Sequence, residues 1–173
     1  MLVARAIYDQ AVDVAARVAE GLVVGDPWAA DTFLGPVAGK RQYETVINHI
    51  RTGLVQGARL VAGGTARPGG LTRGYYVKPT VFADVENSMV IARQEIFGPV
   101  LCLIPFGDDD EAVAIANDSD FGLSGYVYSA DVERARRMAR RLRTGMVHIN
   151  GAATDMAAPF GGYKRSGNGR EWG

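Results

Sequence analysis

Gln94-Glu95-Ile96-Phe97-Gly98-Pro99-Val100 is the stretch on which the fold turns. Ahead of it the chain switches repeatedly between helical and strand-like spacing. Behind it an apolar run at 100–106 predicts a buried strand, and a tail of glycines closes the chain. Within the stretch a carboxylate and an aromatic ring stand two residues apart and lead at once into Gly98-Pro99. Extended backbone puts positions i and i+2 on the same side, so Glu95 and Phe97 can face one ligand together. A carboxylate accepts hydrogen bonds at both oxygens, which suits a vicinal diol such as a ribose. A phenyl ring offers a flat apolar wall to a heterocycle. Gly98 admits close backbone approach, and Pro99 stiffens the entry into the strand. The same spacing also suits a surface glutamate followed by a core phenylalanine, and on spacing alone both readings stand.

Outward from this stretch, helical and strand periods alternate. Residues 7–22 carry Ile7, Ala11, Val14, Ala15, Val18 and Leu22 at helical spacing. Residues 40–54 repeat the pattern with Tyr43, Val46, Ile47, Ile50 and Leu54, and Gly57 closes the helix. Residues 58–62 predict a short strand and the glycine-rich 63–74 a surface loop. Residues 75–85 are β-rich, with Pro79 limiting ladder pairing. Beyond 106, Asp108, Asp109 and Asp110 open a helix running to Asn117, acids at its start complementing the helix dipole. A strand at 121–128, a helix capped by Ser129 or Asp131 and running to Leu142, and a strand at 145–150 complete the series. The alternation predicts an α/β fold with a largely parallel sheet and flanking helices. Residues 1–150 form its body and 151–173 a loop and glycine-rich tail.

Composition limits what the chain can do. With 173 residues, 47% of them hydrophobic, there is room for a real core. A formal net charge of zero gives no bulk attraction for nucleic acid. The arginines at 134, 136, 137, 140, 141 and 143 follow Asp131 and Glu133 and spread around a helix, which reads as a solvated face. No apolar run approaches the length of a membrane span, and the first residues predict no signal peptide. The one cysteine, Cys102, allows no internal disulfide and fits a reducing, cytoplasmic compartment. It lies in an apolar strand with nothing beside it in sequence to lower its pKa, and reads as a small buried hydrophobe. His49 and His148 belong to no Cys-His-Asn pattern and read as structural or surface residues.

In the tail, Pro159-Phe160-Gly161-Gly162-Tyr163-Lys164-Arg165-Ser166-Gly167-Asn168-Gly169-Arg170-Glu171 interleaves glycines with cations. Such a loop packs closely over an anion or over another backbone. It lacks the Gly-Lys-Ser/Thr order of a P-loop and the spacing of a dinucleotide fingerprint.

The full set of motifs resembles the aldehyde dehydrogenase superfamily. They occur in that family's order: Leu34-Gly35-Pro36; Gly57-Ala58 with Gly63-Gly64; Tyr76-Val77-Lys78-Pro79-Thr80-Val81; Glu95-Ile96-Phe97-Gly98-Pro99-Val100; Ala116-Asn117 through Phe121-Gly122-Leu123; 145–150; and Pro159-Phe160-Gly161-Gly162-Tyr163-Lys164 through Ser166-Gly167 and Gly169-Arg170-Glu171. The resemblance implies an NAD- or NADP-dependent oxidation of an aldehyde to a carboxylic acid through a cysteine thiohemiacetal. By position it implies that Glu95 holds the nicotinamide ribose hydroxyls, that Phe97 packs near the nicotinamide, and that Leu123 lies in the same region. Gln42 falls near a position reaching that ribose, whereas a basic residue expected three positions on is Thr45 here. Phe160 and the 151–158 loop, with Gly151, Thr154, Asp155 and Met156, match the lining of the aldehyde tunnel. Small side chains in that loop leave room for a bulky substrate.

The resemblance also implies what lies elsewhere. The nucleophilic cysteine belongs shortly before this chain, the base and dinucleotide fold further upstream, and an association strand after Gly173. No catalytic residue and no metal ligand is therefore assigned here, and a homo-oligomer is expected of the complete enzyme. Neither a nucleic acid nor a membrane is expected as a partner. The alternative is a non-catalytic, stand-alone remnant that acts as a binding or self-association module.

Overall fold

The computed structural model describes all 173 residues, which divide into two compact units, Met1–Phe106 and Gly107–Gly173. The sequence-based division at 150/151 falls inside the second unit.

The first unit is built on β3 (Thr80–Ala83), all four of whose residues are buried. It pairs antiparallel with β2 (Arg59–Ala62) and parallel with β4 (Val100–Cys102). Alternation along β3 sends its side chains to two different helices. Phe82 joins a cluster with Val46, Ile47 and Ile50 of α2 (Lys40–Val55). Val81 and Ala83 join Tyr8, Val12 and Ala19 of α1 (Tyr8–Gly21). The sheet is thus flanked on both faces, as the α/β alternation predicts. Thr80, the buried polar residue of this core, donates to the Lys78 carbonyl at 2.8 Å and accepts from Gly64 N–H at 3.1 Å.

The apolar run at 100–106 is two strands, not one. At Leu103 the chain changes partners: β4 pairs with β3, and β5 (Ile104–Phe106) pairs in parallel with β1 (Leu2–Ala4). Leu103 itself is fully buried, and its carbonyl accepts from Val85 N–H and from the Tyr8 hydroxyl. That hydroxyl also accepts from Asp84 N–H at 2.6 Å, so one buried phenol ties α1 to the end of β3 and to the switch point.

The buried face of α1 differs from the predicted one. Tyr8, Val12 and Ala19 face the core, while Ile7, Val14 and Val18 are exposed. Alanines on the inward side let the helix lie close to the strands, and the larger valines are left on a second apolar face. In 75–85 only Thr80–Ala83 is strand, because Pro79 cannot donate to a ladder. A single helical turn, α3 (Val90–Arg93), went unforeseen; its Val90 N–H is capped by Gln56 Oε1 at 2.9 Å.

The second unit holds α4 (Asp109–Asn117), whose N-cap Asp108 accepts from Glu111 N–H at 2.8 Å. Phe121–Gly122 (β6) pairs antiparallel with Tyr163–Lys164 (β9), a strand hidden from sequence reading by its two-residue length. Ser124–Val127 (β7) pairs in parallel with Met146–Ile149 (β8). The predicted strand at 121–128 therefore splits at Leu123, with its two parts in different sheets. α5 (Val132–Ala139) is capped by Asp131, not Ser129. It ends three residues before Leu142 because Arg141 N–H and Leu142 N–H take i−3 carbonyls, a tighter turn that redirects the chain towards β8.

The arginines of this region meet acids. Arg134 binds Asp109 through two nitrogens, Arg141 binds Asp110 at 2.7 Å, and Arg136 binds Glu133. In the tail, glycines serve backbone-to-backbone packing. A Cβ on Gly145 would lie 1.6 Å from the Gly161 carbonyl oxygen, and one on Gly161 would lie 2.1 Å from that of Gly169. Two tail cations serve carbonyls, Lys164 Nζ donating to Asn117 and Ser119 and Arg170 to Gly162 and Gly169, while Arg165 pairs with the Asp120 carboxylate at 3.2 Å. Of the two uses left open for this loop, the structure has the packing over backbone. No helix is long and apolar enough to cross a membrane.

Candidate functional site

Residues 94–97 leave α3 as irregular backbone and run to β4. Ile96 packs against the α2 core, while Glu95 and Phe97 on either side of it are exposed. Phe97 is 72% exposed, which removes the alternative of a core phenylalanine. The segment is not regular strand throughout, since Phe97 has φ 51°. The left-handed region is unusual for a bulky residue and is characteristic of sites held by their surroundings. Gly98 admits the close backbone approach its type suggests, and what it approaches is α2. A Cβ there would lie 2.5 Å from Val46 Cγ2, so glycine lets this backbone press against α2.

Glu95, Ile96 and Phe97 line an open cleft of about 530 Å3 together with Gln42 and Thr45 of α2. Lys40 and Arg41 at the start of α2 complete its cationic rim. Gln42 enters the cleft wall already engaged. Its Oε1 accepts from Ala38 N–H at 3.0 Å, and its Nε2 donates to the Phe97 carbonyl at 2.5 Å. The Thr45 hydroxyl donates back to the Arg41 carbonyl at 2.9 Å. Chemically the cleft offers a carboxylate, an aromatic face and one amide, which together suit a sugar diol attached to a flat ring.

The other sequence-derived candidates lie in the second unit. Leu123 is 41% exposed between β6 and β7. Phe160 is half-buried, exchanges two backbone hydrogen bonds with Glu171, and packs its ring 5.1 Å from that of Trp172. Gly151, Thr154, Asp155 and Met156 all lie on an exposed loop. Asp155 is engaged locally, accepting from Ala157 N–H at 2.9 Å to close a turn. His148 anchors this loop's beginning. Its Nδ1 lies 2.9 Å from the Ala152 carbonyl, and its ring stacks on Tyr126 at 4.8 Å.

Cys102 is half-buried, with Sγ pointing to the Ile91 carbonyl at 3.6 Å. Burial pushes its thiol pKa up, and the nearby chain N-terminus opposes this less strongly. It is therefore a less complete core residue than expected and a poor thiolate. His49, read from the sequence as structural or surface, is half-buried, and the contact that reading did not give is with Gln94, whose Oε1 lies 3.1 Å from its Nε2. The available signal was spacing: Gln42, Thr45 and His49 at i, i+3 and i+7 form one polar stripe along α2.

The chain belongs to the aldehyde dehydrogenase family, whose pattern matches residues 1–173. A 3-succinoylsemialdehyde-pyridine dehydrogenase from a Pseudomonas species is 56% identical over all of this chain, which spans 36% of that relative's length. Among solved structures, a mutant of aldehyde dehydrogenase C from Pseudomonas syringae, in complex with NAD+ and octanal, superposes with a TM-score of 0.97 at 51% identity. All of this chain and 36% of that one are covered. An aldehyde dehydrogenase from Mycobacterium tuberculosis, complexed with NAD+, gives a TM-score of 0.95 at 45% identity, covering 99% and 35% respectively.

Proposed function

We propose that this chain is part of an NAD(P)-dependent aldehyde dehydrogenase and that the 94–97 cleft receives the nicotinamide ribose. The observation that carries this is the outward placement of Glu95 and Phe97 around the inward Ile96, over a cleft walled by Gln42. The Glu95 carboxylate accepts from the two ribose hydroxyls, and the Phe97 ring covers the adjoining heterocycle. The dinucleotide, when bound, supplies the hydride acceptor. The NAD+ complexes among the structural neighbours favour NAD over NADP. Leu123 and Phe160 contribute to the nicotinamide and substrate region. The 151–158 loop, with Gly151, Thr154, Asp155 and Met156, borders the path of an aldehyde; octanal in one neighbour supports that class. The nucleophilic thiol and the general base come from sequence other than these residues. The complete enzyme works as a cytoplasmic homo-oligomer.

The test is kinetic. In the complete dehydrogenase, Glu95→Gln raises KM for NAD+ by about ten-fold or more, the scale of a lost hydrogen bond to a charged group. Phe97→Ala also raises it, while KM for aldehyde stays within about two-fold, since binding lost at the cofactor alone leaves aldehyde binding intact. Unchanged cofactor affinity and turnover in both variants would remove the assignment.

One observation favours the second reading, a self-associating module. An apolar groove of about 540 Å3 lies between α1 and the β3–β4 strands, lined by Val14, Val18, Leu22, Leu34 and Leu101. A monodisperse monomer of the 173-residue chain by light scattering would argue against that reading.

A further inference from the structure

The 94–97 segment is irregular, solvent-facing and left-handed at Phe97, yet any ligand-directed role for Glu95 needs it fixed. Two side chains from one face of α2 reach its two ends. At the C-terminal end, Gln42 Nε2 donates to the Phe97 carbonyl, and Gln42 Oε1 is itself oriented by Ala38 N–H. At the N-terminal end, His49 Nε2 meets the Gln94 side chain at 3.1 Å. The His49 ring is oriented in turn by the Thr45 carbonyl, 2.8 Å from Nδ1. An oxygen opposite Nδ1 requires the proton there, so in the neutral ring Nε2 accepts, and the contact is a hydrogen bond when the Gln94 amide turns its NH2 to that nitrogen. Both contacts have their own supporting hydrogen bond, the usual mark of a group held for the sake of its neighbour. Ile96, packed against the α2 core between these ends, sets the depth of the segment. Glu95 has neither contact and projects from the middle.

We propose that Gln42 and His49 are positioning residues, clamping the two ends of the 94–97 segment onto α2 so that Glu95 and Phe97 face the cleft. This rests on the assignment of that cleft to the nicotinamide ribose. His49 reaches only the Gln94 side chain, so its influence on a ligand passes through the segment.

The experiment uses the complete dehydrogenase with Glu95→Gln, Gln42→Ala, His49→Ala and the conservative His49→Gln. Each is also made in the Glu95→Gln background, with KM for NAD+, KM for aldehyde and Tm as readouts. Gln42→Ala and His49→Ala are expected to raise KM for NAD+ by about ten-fold, one lost positioning contact of about 1.4 kcal/mol. Aldehyde KM and Tm stay as in the parent, and His49→Gln recovers part of the loss. In the Glu95→Gln background both effects shrink towards nothing, because groups acting through one residue are not additive. Effects that persist in full in that background would overturn the proposal, as would a fall in Tm together with a rise in aldehyde KM. If Glu95→Gln weakens NAD+ while neither α2 variant does, the clamp alone fails. If Glu95→Gln has no effect, the ribose assignment fails and the clamp falls with it.

Discussion

Cys102 illustrates how little a residue type says without its surroundings. A lone cysteine invites attention where the resemblance implies a thiolate mechanism. Here the thiol is half-buried, directed at the Ile91 carbonyl, and shifted upward in pKa by burial. Thiolate is the nucleophilic form, so this group is poorly suited to attack. Cys102→Ala in the complete dehydrogenase should therefore change kcat by less than about two-fold, whereas loss of a true nucleophile costs several orders of magnitude. A collapse of kcat with an unchanged Tm would show that the thiol takes part. Phe97 makes the opposite case. A core position was one of the two readings open to it from sequence, but it is exposed and its backbone is left-handed.

At the scale of elements, the helices with strong polar and apolar spacing were legible. α2 and α4 lie within a residue or so of their sequence boundaries, and the acids before α4 cap it as their position implies. What escaped was partner choice. The apolar run at 100–106 and the run at 121–128 each change sheet midway, at Leu103 and Leu123. Hydrophobic period reports burial and not which strand lies alongside. The inward face of α1 was misplaced by about one position because valines on its outer face mimic a core stripe. Of the candidate site, the spacing of Glu95 and Phe97 left two readings open, and only the resemblance carried by the whole motif set chose between them. The Gln42 and His49 contacts could not be read from the sequence, since they join residues 55 and 45 positions apart.

The α4–α5 contact gives a pH prediction. The Arg134 guanidinium bound to Asp109 holds that carboxyl below its ordinary value of 3.8. A depressed folded pKa contributes stability above the unfolded value, and that contribution is lost as pH falls through the folded one. Asp109→Asn should therefore lower Tm modestly at neutral pH, and the difference should close as pH drops below 3.8. The pair is partly exposed, so added salt should shrink the difference as well. A Tm difference that widened on acidification would contradict this.

At the scale of the whole molecule, the chain belongs to the aldehyde dehydrogenase family. The chain matches the family throughout but spans 36% of the length of the Pseudomonas relative, and its cysteine is half-buried. Aldehyde oxidation by this route needs a thiolate to form the covalent intermediate. The isolated 173-residue chain should give no NAD+ reduction with any aldehyde, and steady reduction by pure chain would overturn that expectation. Deleting the hydroxyls from the ligand tests whether Glu95 holds the ribose. Dissociation constants would be measured for NAD+ and for its analogue lacking both nicotinamide-ribose hydroxyls, with the complete enzyme and its Glu95→Gln variant. The parent should bind the analogue about ten-fold or more weakly than NAD+, as expected for lost bonds to a carboxylate. The variant should discriminate between the two far less. Equal discrimination by both enzymes would mean that Glu95 does not hold the ribose.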